Sequence, residues 1–192
     1  MASVLCVGHA VQDFVFEVPA LPDRGEKYRA SAFHSVGGGP AATAAVSIAR
    51  LGGVAHLAAR LGDDSVAGLI AAELAGYGVQ CGCLRRFEGC SSSLSAVMVD
   101  AAGERMVVNH LDPRLPSDPL WLPDPRALGV DAVLADSRWP QGAASALQRA
   151  RAAGLLAVLD ADIPVPRLPG LLESATHVAF SAAGLADYSG DA

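Results

Sequence analysis

The sequence contains no uninterrupted apolar run approaching the ~20 residues that a membrane-spanning helix needs, although 52% of its 192 residues are apolar and its mean hydropathy is +0.34. High apolar content in short runs points instead to a buried parallel sheet. Basic charge is also scarce. Lys and Arg number 14 against 20 Asp and Glu, a net charge of −6, and Arg85-Arg86 is the only basic doublet, which a solvated turn accounts for. That argues against a nucleic-acid binder, which needs clustered cations to neutralise phosphates. The four cysteines do not make a metal site: Cys6 reads as a small core residue, and Cys81, Cys83 and Cys90 lack the paired spacing and neighbouring histidines of zinc ligands. Residues 1–8 carry neither the basic nor the long apolar region of a signal peptide, so the cytoplasm is the expected compartment. The length suits one α/β domain over 1–192, with no repeat and no interdomain linker.

What the sequence does have is Val36-Gly37-Gly38-Gly39-Pro40-Ala41-Ala42-Thr43-Ala44-Ala45-Val46, a glycine-rich turn running into a helix of very small residues. Three glycines permit φ > 0 and clear the main chain of side chains, so that a ligand can approach it closely. Pro40 suits a first helical turn, and Gly52-Gly53 ends the helix. The N–H groups of that first turn are expected to be free, at the positive end of the helix dipole, for an anion or a ring of hydroxyls. A plain turn and helix start with no ligand would use the same residues. The spacing Gly37-x-Gly39-x-x-Ala42 also fits the dinucleotide fingerprint, but residues 28–35 mix polar and apolar positions where that fingerprint requires a buried apolar strand. No Gly-Lys-Ser/Thr follows, which removes a P-loop.

Along the chain, residues 4–7 read as a first core strand, with Asp13 just past its carboxyl end, where open α/β sheets bind ligands. A carboxylate there can grip two sugar hydroxyls, or can be a solvated loop acid. Residues 14–18 and 27–35 read as two strands of a small antiparallel layer, which a hairpin of 92–99 and 105–110 around Asp100-Ala101-Ala102-Gly103-Glu104 joins. A core strand over 54–61 precedes a helix over 66–75, with acidic N-capping residues at Asp63-Asp64. The proline-rich stretch 111–125 reads as loop. Strands at 131–135, 155–160 and 177–180 then alternate with helices at 141–153 and 168–174, the pattern of a parallel sheet with crossovers.

Together these residues resemble the ribokinase-like, or PfkB-type, carbohydrate kinases over essentially the whole chain, and within them the sulfofructose kinases. The phrases that carry the resemblance are the Gly37-Gly38-Gly39-Pro40 helix start, Arg60-Leu61-Gly62-Asp63-Asp64, Ser95-Ala96-Val97-Met98-Val99-Asp100, Gly103-Glu104-Arg105, Asp136-Ser137-Arg138-Trp139 and Phe180-Ser181. The resemblance implies a ribokinase-like α/β fold: a parallel sheet flanked by helices, with an antiparallel β lid from segments of about 14–35 and 92–110. It implies an ATP- and Mg²⁺-dependent kinase acting on the primary hydroxyl of a ketose, 6-deoxy-6-sulfofructose, with fructose, a sugar phosphate or a nucleoside as alternatives within the family. A non-catalytic sugar-binding module is a further alternative. Asp13 and the backbone of Gly38 and Gly39 would hold the sugar hydroxyls, and Lys27, Asn109 and Arg138 would converge on the sulfonate, a fixed monoanion suited to a guanidinium fork, an ammonium and an amide. Separately, Lys27 and Arg138 could be solvated charges, Asn109 a strand-end hydrogen bonder and Trp139 a packing residue. Lid sheets in this family commonly pair two subunits, so a homodimer is implied.

Two departures qualify the resemblance. Ala42 stands where many family members have a sugar-contacting Asn, which fits the sulfosugar branch better than a ribose kinase. The family's Gly-Ala-Gly-Asp motif, with its catalytic Asp and most of the nucleotide site, does not occur up to Ala192, and Ser189-Gly190-Asp191 does not replace it. The expectation is therefore of a chain holding the sugar half, with no catalytic residue of its own and without the C-terminal nucleotide-binding part.

Overall fold

A computed structural model describes residues 1–190. Strand β1 (Ser3–Gly8) is flanked by β4 (Val54–Gly62) and β8 (Ala132–Asp136), and the main sheet continues outward to β5 (Arg85–Phe87) on one side and to β9 (Leu156–Ala161) and β10 (His177–Phe180) on the other. Every pairing in this six-stranded sheet is parallel. Alternation sends successive β1 side chains to opposite faces. Leu5 and Val7 enter a core under α4 (Pro140–Ala152), whereas Cys6 enters a second core under α1 (Pro40–Arg50) and α2 (Ser65–Gly76). Small residues set the depth of both layers. Ala41, Ala42 and Ala45 are buried on α1, and Ala143, Ala146 and Ala150 on α4, so each helix backbone lies close on the sheet.

Four strands form the second layer, β3 (Ala32–Gly38), β2 (Val11–Glu17), β6 (Leu94–Val99) and β7 (Arg105–His110) in that spatial order. The hairpin does join the first pair, but β2 and β6 run parallel, so the lid is a mixed sheet and not the antiparallel one expected. Its first segment also differs. Strand β2 begins at Val11, and the stretch read as strand from 27 to 31 is loop, with β3 opening only at Ala32. Tyr28 explains part of this: its hydroxyl donates to Asp23 and accepts from the Asp23 and Arg24 amides, closing a tight local turn.

Side-chain ties fasten the lid to the core. The Asp64 carboxylate caps α2 through the Ala67 amide at 2.9 Å and also accepts from the amide and hydroxyl of Ser92 at 2.7 and 2.8 Å, just before β6. Asp112, just after β7, accepts the Ser91 amide and three donors of Arg114, its amide and two guanidinium N–H groups, which hold its carboxyl well below the usual carboxylate range. Glu73 of α2 accepts the Gly37 amide of edge strand β3 at 2.8 Å. Four short elements lie outside the expected list: a 3-10 turn at Cys81–Cys83, β5, which makes a strand of the Arg85-Arg86 doublet expected in a turn, α3 (Pro125–Leu128), capped by Asp124, and α5 (Ala182–Ser189), capped by Ser181. The expected helix at 168–174 is a single 3-10 turn at Leu172–Ser174. Asp191 lies outside the described residues.

Candidate functional site

A cavity of about 670 Å³ opens between the lid and the carboxyl ends of β1 and β8, within the usual size of a small-molecule site. It is lined by His9, Asp13, Gly39, Pro40, Ser95, Arg105, Asn109 and Arg138 together with apolar lid residues. The lid contributes by register. Asp13 pairs with Ser95 and Ser95 with Asn109, so the three share one face of the sheet, and that face is turned to the cavity. The Asn109 amide nitrogen donates to the Ser95 hydroxyl at 3.1 Å.

Of the six residues expected at the site, four line this cavity: Asp13, Gly39, Asn109 and Arg138. Asp13 lies within β2, on the lid, and not in a loop after β1. Gly38 is behind it. A Cβ on Gly38 would lie 2.5 Å from the Asp13 carboxylate, so the missing side chain makes room for that group. Lys27 is exposed and does not line the cavity. Its neighbours Glu26 and Tyr28 line a separate hollow with Phe16 and Met98, which alternation places on the lid's other face. Lys27, Asn109 and Arg138 therefore do not converge within this chain.

The glycine run also differs from its expected role. Gly37 and Gly38 are strand residues, and only Gly39 takes a positive φ, +97°, where a side chain would strike the His9 carbonyl. The first-turn N–H groups are not free either. The Ala41 amide donates to Asp136 Oδ2 at 3.0 Å and the Ala42 amide to the His9 carbonyl at 3.3 Å. A buried carboxylate from β8 already answers the dipole of α1, so an incoming anion would find that position filled.

Asp136 is the hub of the site floor, a role that the sequence reading did not assign. It is 1% exposed, and its two oxygens accept the amides of His9 at 2.7 Å, Ala41 at 3.0 Å and Arg138 at 2.8 Å. Burial pushes its carboxyl up, and the three amides and the Arg138 charge pull against that. His9 was missed altogether. Burial, with the Arg138 and Arg60 charges next, pushes its imidazole down to about 4, against a weaker opposing pull from Asp13. At neutral pH it presents an uncharged ring to the cavity. Arg138 has its guanidinium 3.3 Å from Asp162, and Trp139, beside it, is a packing residue, stacked on Trp121 and under the Arg60 guanidinium. The cavity thus brings together the Asp13 carboxylate on the lid with an arginine and a neutral imidazole on its floor.

A parallel α/β sheet flanked by helices, with a small mixed β lid at the carboxyl ends of its strands, is the ribokinase-like fold. The pfkB family carbohydrate kinase model matches residues 1–192, and the chain belongs to that family. An ATP-dependent ribose-1-phosphate kinase of Halopiger xanaduensis is 28% identical over 160 residues, 83% of this chain and 54% of that protein. A fructokinase of Solanum tuberosum is 27% identical over 175 residues, 85% of this chain and 52% of its own. Among solved structures, an Agrobacterium tumefaciens protein described provisionally as a ribokinase superposes with a TM-score of 0.91 at 36% identity, over 98% of this chain and 62% of its own. Arabidopsis thaliana ribokinase, complexed with ribose and ATP, shares the fold with a TM-score of 0.81 at 24% identity. The chain spans about half the length of these two curated relatives.

Proposed function

We propose that this chain is the sugar-binding part of an ATP- and Mg²⁺-dependent kinase that phosphorylates the primary hydroxyl of a ketose, with 6-deoxy-6-sulfofructose as its substrate. The observation that carries the reading is the single cavity shared by Asp13, Gly39, Asn109 and Arg138. Asp13 accepts from sugar hydroxyls. Gly39 keeps the wall thin, and Arg138 with Asn109 donates to a sulfonate, whose three acceptor oxygens match a guanidinium and an amide. Lys27, off the cavity wall in the chain by itself, would reach the anion only by movement of its loop or from a second copy.

ATP and Mg²⁺ supply the transferred phosphoryl group and the charge that stabilises it. Among the described residues no group of three or more His, Cys, Asp or Glu side chains is placed to hold a metal ion. On this reading the 192-residue chain alone binds sugar without turning over ATP. A second reading, a neutral or phosphorylated sugar as substrate, is favoured by the names of the relatives, which include fructokinases and a ribose-1-phosphate kinase. Calorimetric titration of sulfofructose, fructose 6-phosphate and fructose into the wild type and Arg138→Ala separates the two. Loss of sulfofructose binding with fructose unaffected supports the sulfosugar, and equal loss of all three, or a wild-type preference for fructose, rejects it. The expected compartment is the cytoplasm, and among the described residues no helix is long and apolar enough to cross a membrane.

A further inference from the structure

The anion-binding arginine of the cavity already has an anion. Arg138 Nη2 lies 3.3 Å from Asp162 Oδ2, at the end of β9, while its main-chain amide is held by Asp136. Asp162 is not a loose surface partner. Its other oxygen, Oδ1, accepts the Ser181 hydroxyl at 2.6 Å, and the Ser181 oxygen in turn accepts the Gly184 amide at 2.9 Å as the cap of α5. The Asp162 main-chain carbonyl accepts the Ser137 hydroxyl, next to Arg138, at 3.2 Å. A run of hydrogen bonds from the start of α5 therefore fixes a carboxylate beside the guanidinium, and the hydroxyl, the neighbouring Ile163 amide and Arg138 itself hold that carboxyl below its ordinary range. Asp162 does not line the cavity, whereas Arg138 does. The arginine is thus shared between a resident anion behind it and the space in front.

We propose that Asp162 is a resident counter-ion of Arg138 that sets the site's discrimination between anionic and neutral ketoses, an inference that rests on the reading of Arg138 as the anion-binding residue. Both partners are more than a third exposed, at 36% and 40% of the side chain, so the pair is weak and the guanidinium can be taken over by a better-placed anion. A substrate with a fixed anionic group offers that replacement, and it does so against repulsion from Asp162 across the same guanidinium. A neutral sugar offers none and leaves the pair intact. Asp162 therefore lowers the affinity for every anion and leaves the affinity for neutral ketoses unchanged. It acts as a specificity residue through Arg138 without touching substrate.

The test is calorimetric binding of 6-deoxy-6-sulfofructose, inorganic sulfate and fructose to the intact protein as wild type, Asp162→Asn and Asp162→Glu. Asp162→Asn is expected to tighten both anions roughly three- to tenfold, the size of a like-charge repulsion in solvated surroundings, with fructose within about twofold. Asp162→Glu, which retains the charge, is expected to stay near wild type. Asp162→Ser serves as the uncharged variant if the Asn protein does not fold. Unchanged anion binding in a folded uncharged variant overturns the proposal, and so does weakened binding, which would make Asp162 a brace for Arg138. The substrate reading fails separately. If the wild type binds sulfofructose no better than fructose while sulfate still tightens in Asp162→Asn, the counter-ion stands and the sulfosugar assignment falls.

Discussion

The carboxylate of Asp136 and the main-chain amide of Ala41 are 3.0 Å apart although 95 residues separate them in sequence. That bond joins the end of β8 to the first turn of α1, and the same Asp136 oxygen also holds the His9 amide. Three segments of the cavity floor are therefore pinned by one side chain. Its removal in Asp136→Ala leaves the buried Ala41 amide and the half-buried His9 and Arg138 amides without that partner, and each such loss costs up to about 1–3 kcal/mol. We expect a loss of about 3 kcal/mol in urea denaturation, and a smaller one for Asp136→Asn, which keeps an acceptor. An Asp136→Ala protein as stable as wild type would contradict the hub.

The proton affinity of His9 makes a stability profile. Its imidazole is pushed down to about 4 in the fold, against about 6.5 in the unfolded chain, so between these values the unfolded state binds a proton that the folded state refuses. This contribution is full above pH ~6.5 and falls away as the pH drops toward 4, by about 3 kcal/mol in all. Asp64, Asp112 and Asp162, all held below their usual range, add losses only below the ordinary carboxylate range near 3.8. Asp136 and Asp160, both pushed up by burial, act with the opposite sign on the acid side, so the His9 share is the difference in slope of denaturation midpoints from pH 4.5 to 8 between the wild type and a flatter His9→Gln. Parallel slopes would remove His9 as the cause.

Glycine at position 38 is required for the room it leaves. A Cβ there would sit 2.5 Å from an Asp13 oxygen and 3.1 Å from Val11, so Gly38→Ala is expected to displace the carboxylate from the cavity. Both Gly38→Ala and Asp13→Ala should weaken every ketose about 10- to 100-fold, the worth of a charged hydrogen bond, regardless of whether the sugar carries an anion. A Gly38→Ala protein that binds ketoses normally would place the sugar elsewhere. Gly39→Ala should instead cost stability, because its φ is +97° and the His9 carbonyl blocks a side chain.

The lid leaves Phe33, Met106, Val107 and Val108 between 38% and 61% exposed, apolar groups on both faces of a four-stranded sheet. We expect two copies to cover this surface by pairing their lids. Light scattering should give a dimer mass for the wild type and a monomer for Val108→Asp, and a wild-type monomer across the micromolar range would reject the pairing. A coupled ATPase assay on the 192-residue chain with sulfofructose should show no turnover, and sugar-dependent turnover would place a catalytic base within it.

The architecture was legible because its signals are local. Periodicity, glycine and proline placement and the alternation of strand and helix are written in consecutive residues, and five of the six strands of the main sheet and the hairpin of 92–99 and 105–110 followed from them, whereas β5, read as a solvated turn at Arg85-Arg86, did not. Resemblance supplied Asp13, Gly39, Asn109 and Arg138, which do share a cavity. The lid's first segment was misread because residues 27–31 have strand-like composition but are held in a loop with Tyr28 bonded to Asp23. Helix α5 had a readable cap in Ser181 but opens on the small residues Ala182-Ala183-Gly184, with little apolar periodicity.

The sequence by itself determined the family, the parallel sheet and the thin alanine helix behind Gly39, since each depends on residue types at short spacing. Only the tertiary structure decided where the charges of the site are spent. Asp136 fills the start of α1 from 95 residues away, Asp162 occupies Arg138 from 24 away, and Lys27 stays off the cavity wall. Coulombic and hydrogen-bonding partners are chosen by distance in space, and a chain that crosses from core to lid and back brings together groups that no sequence window contains.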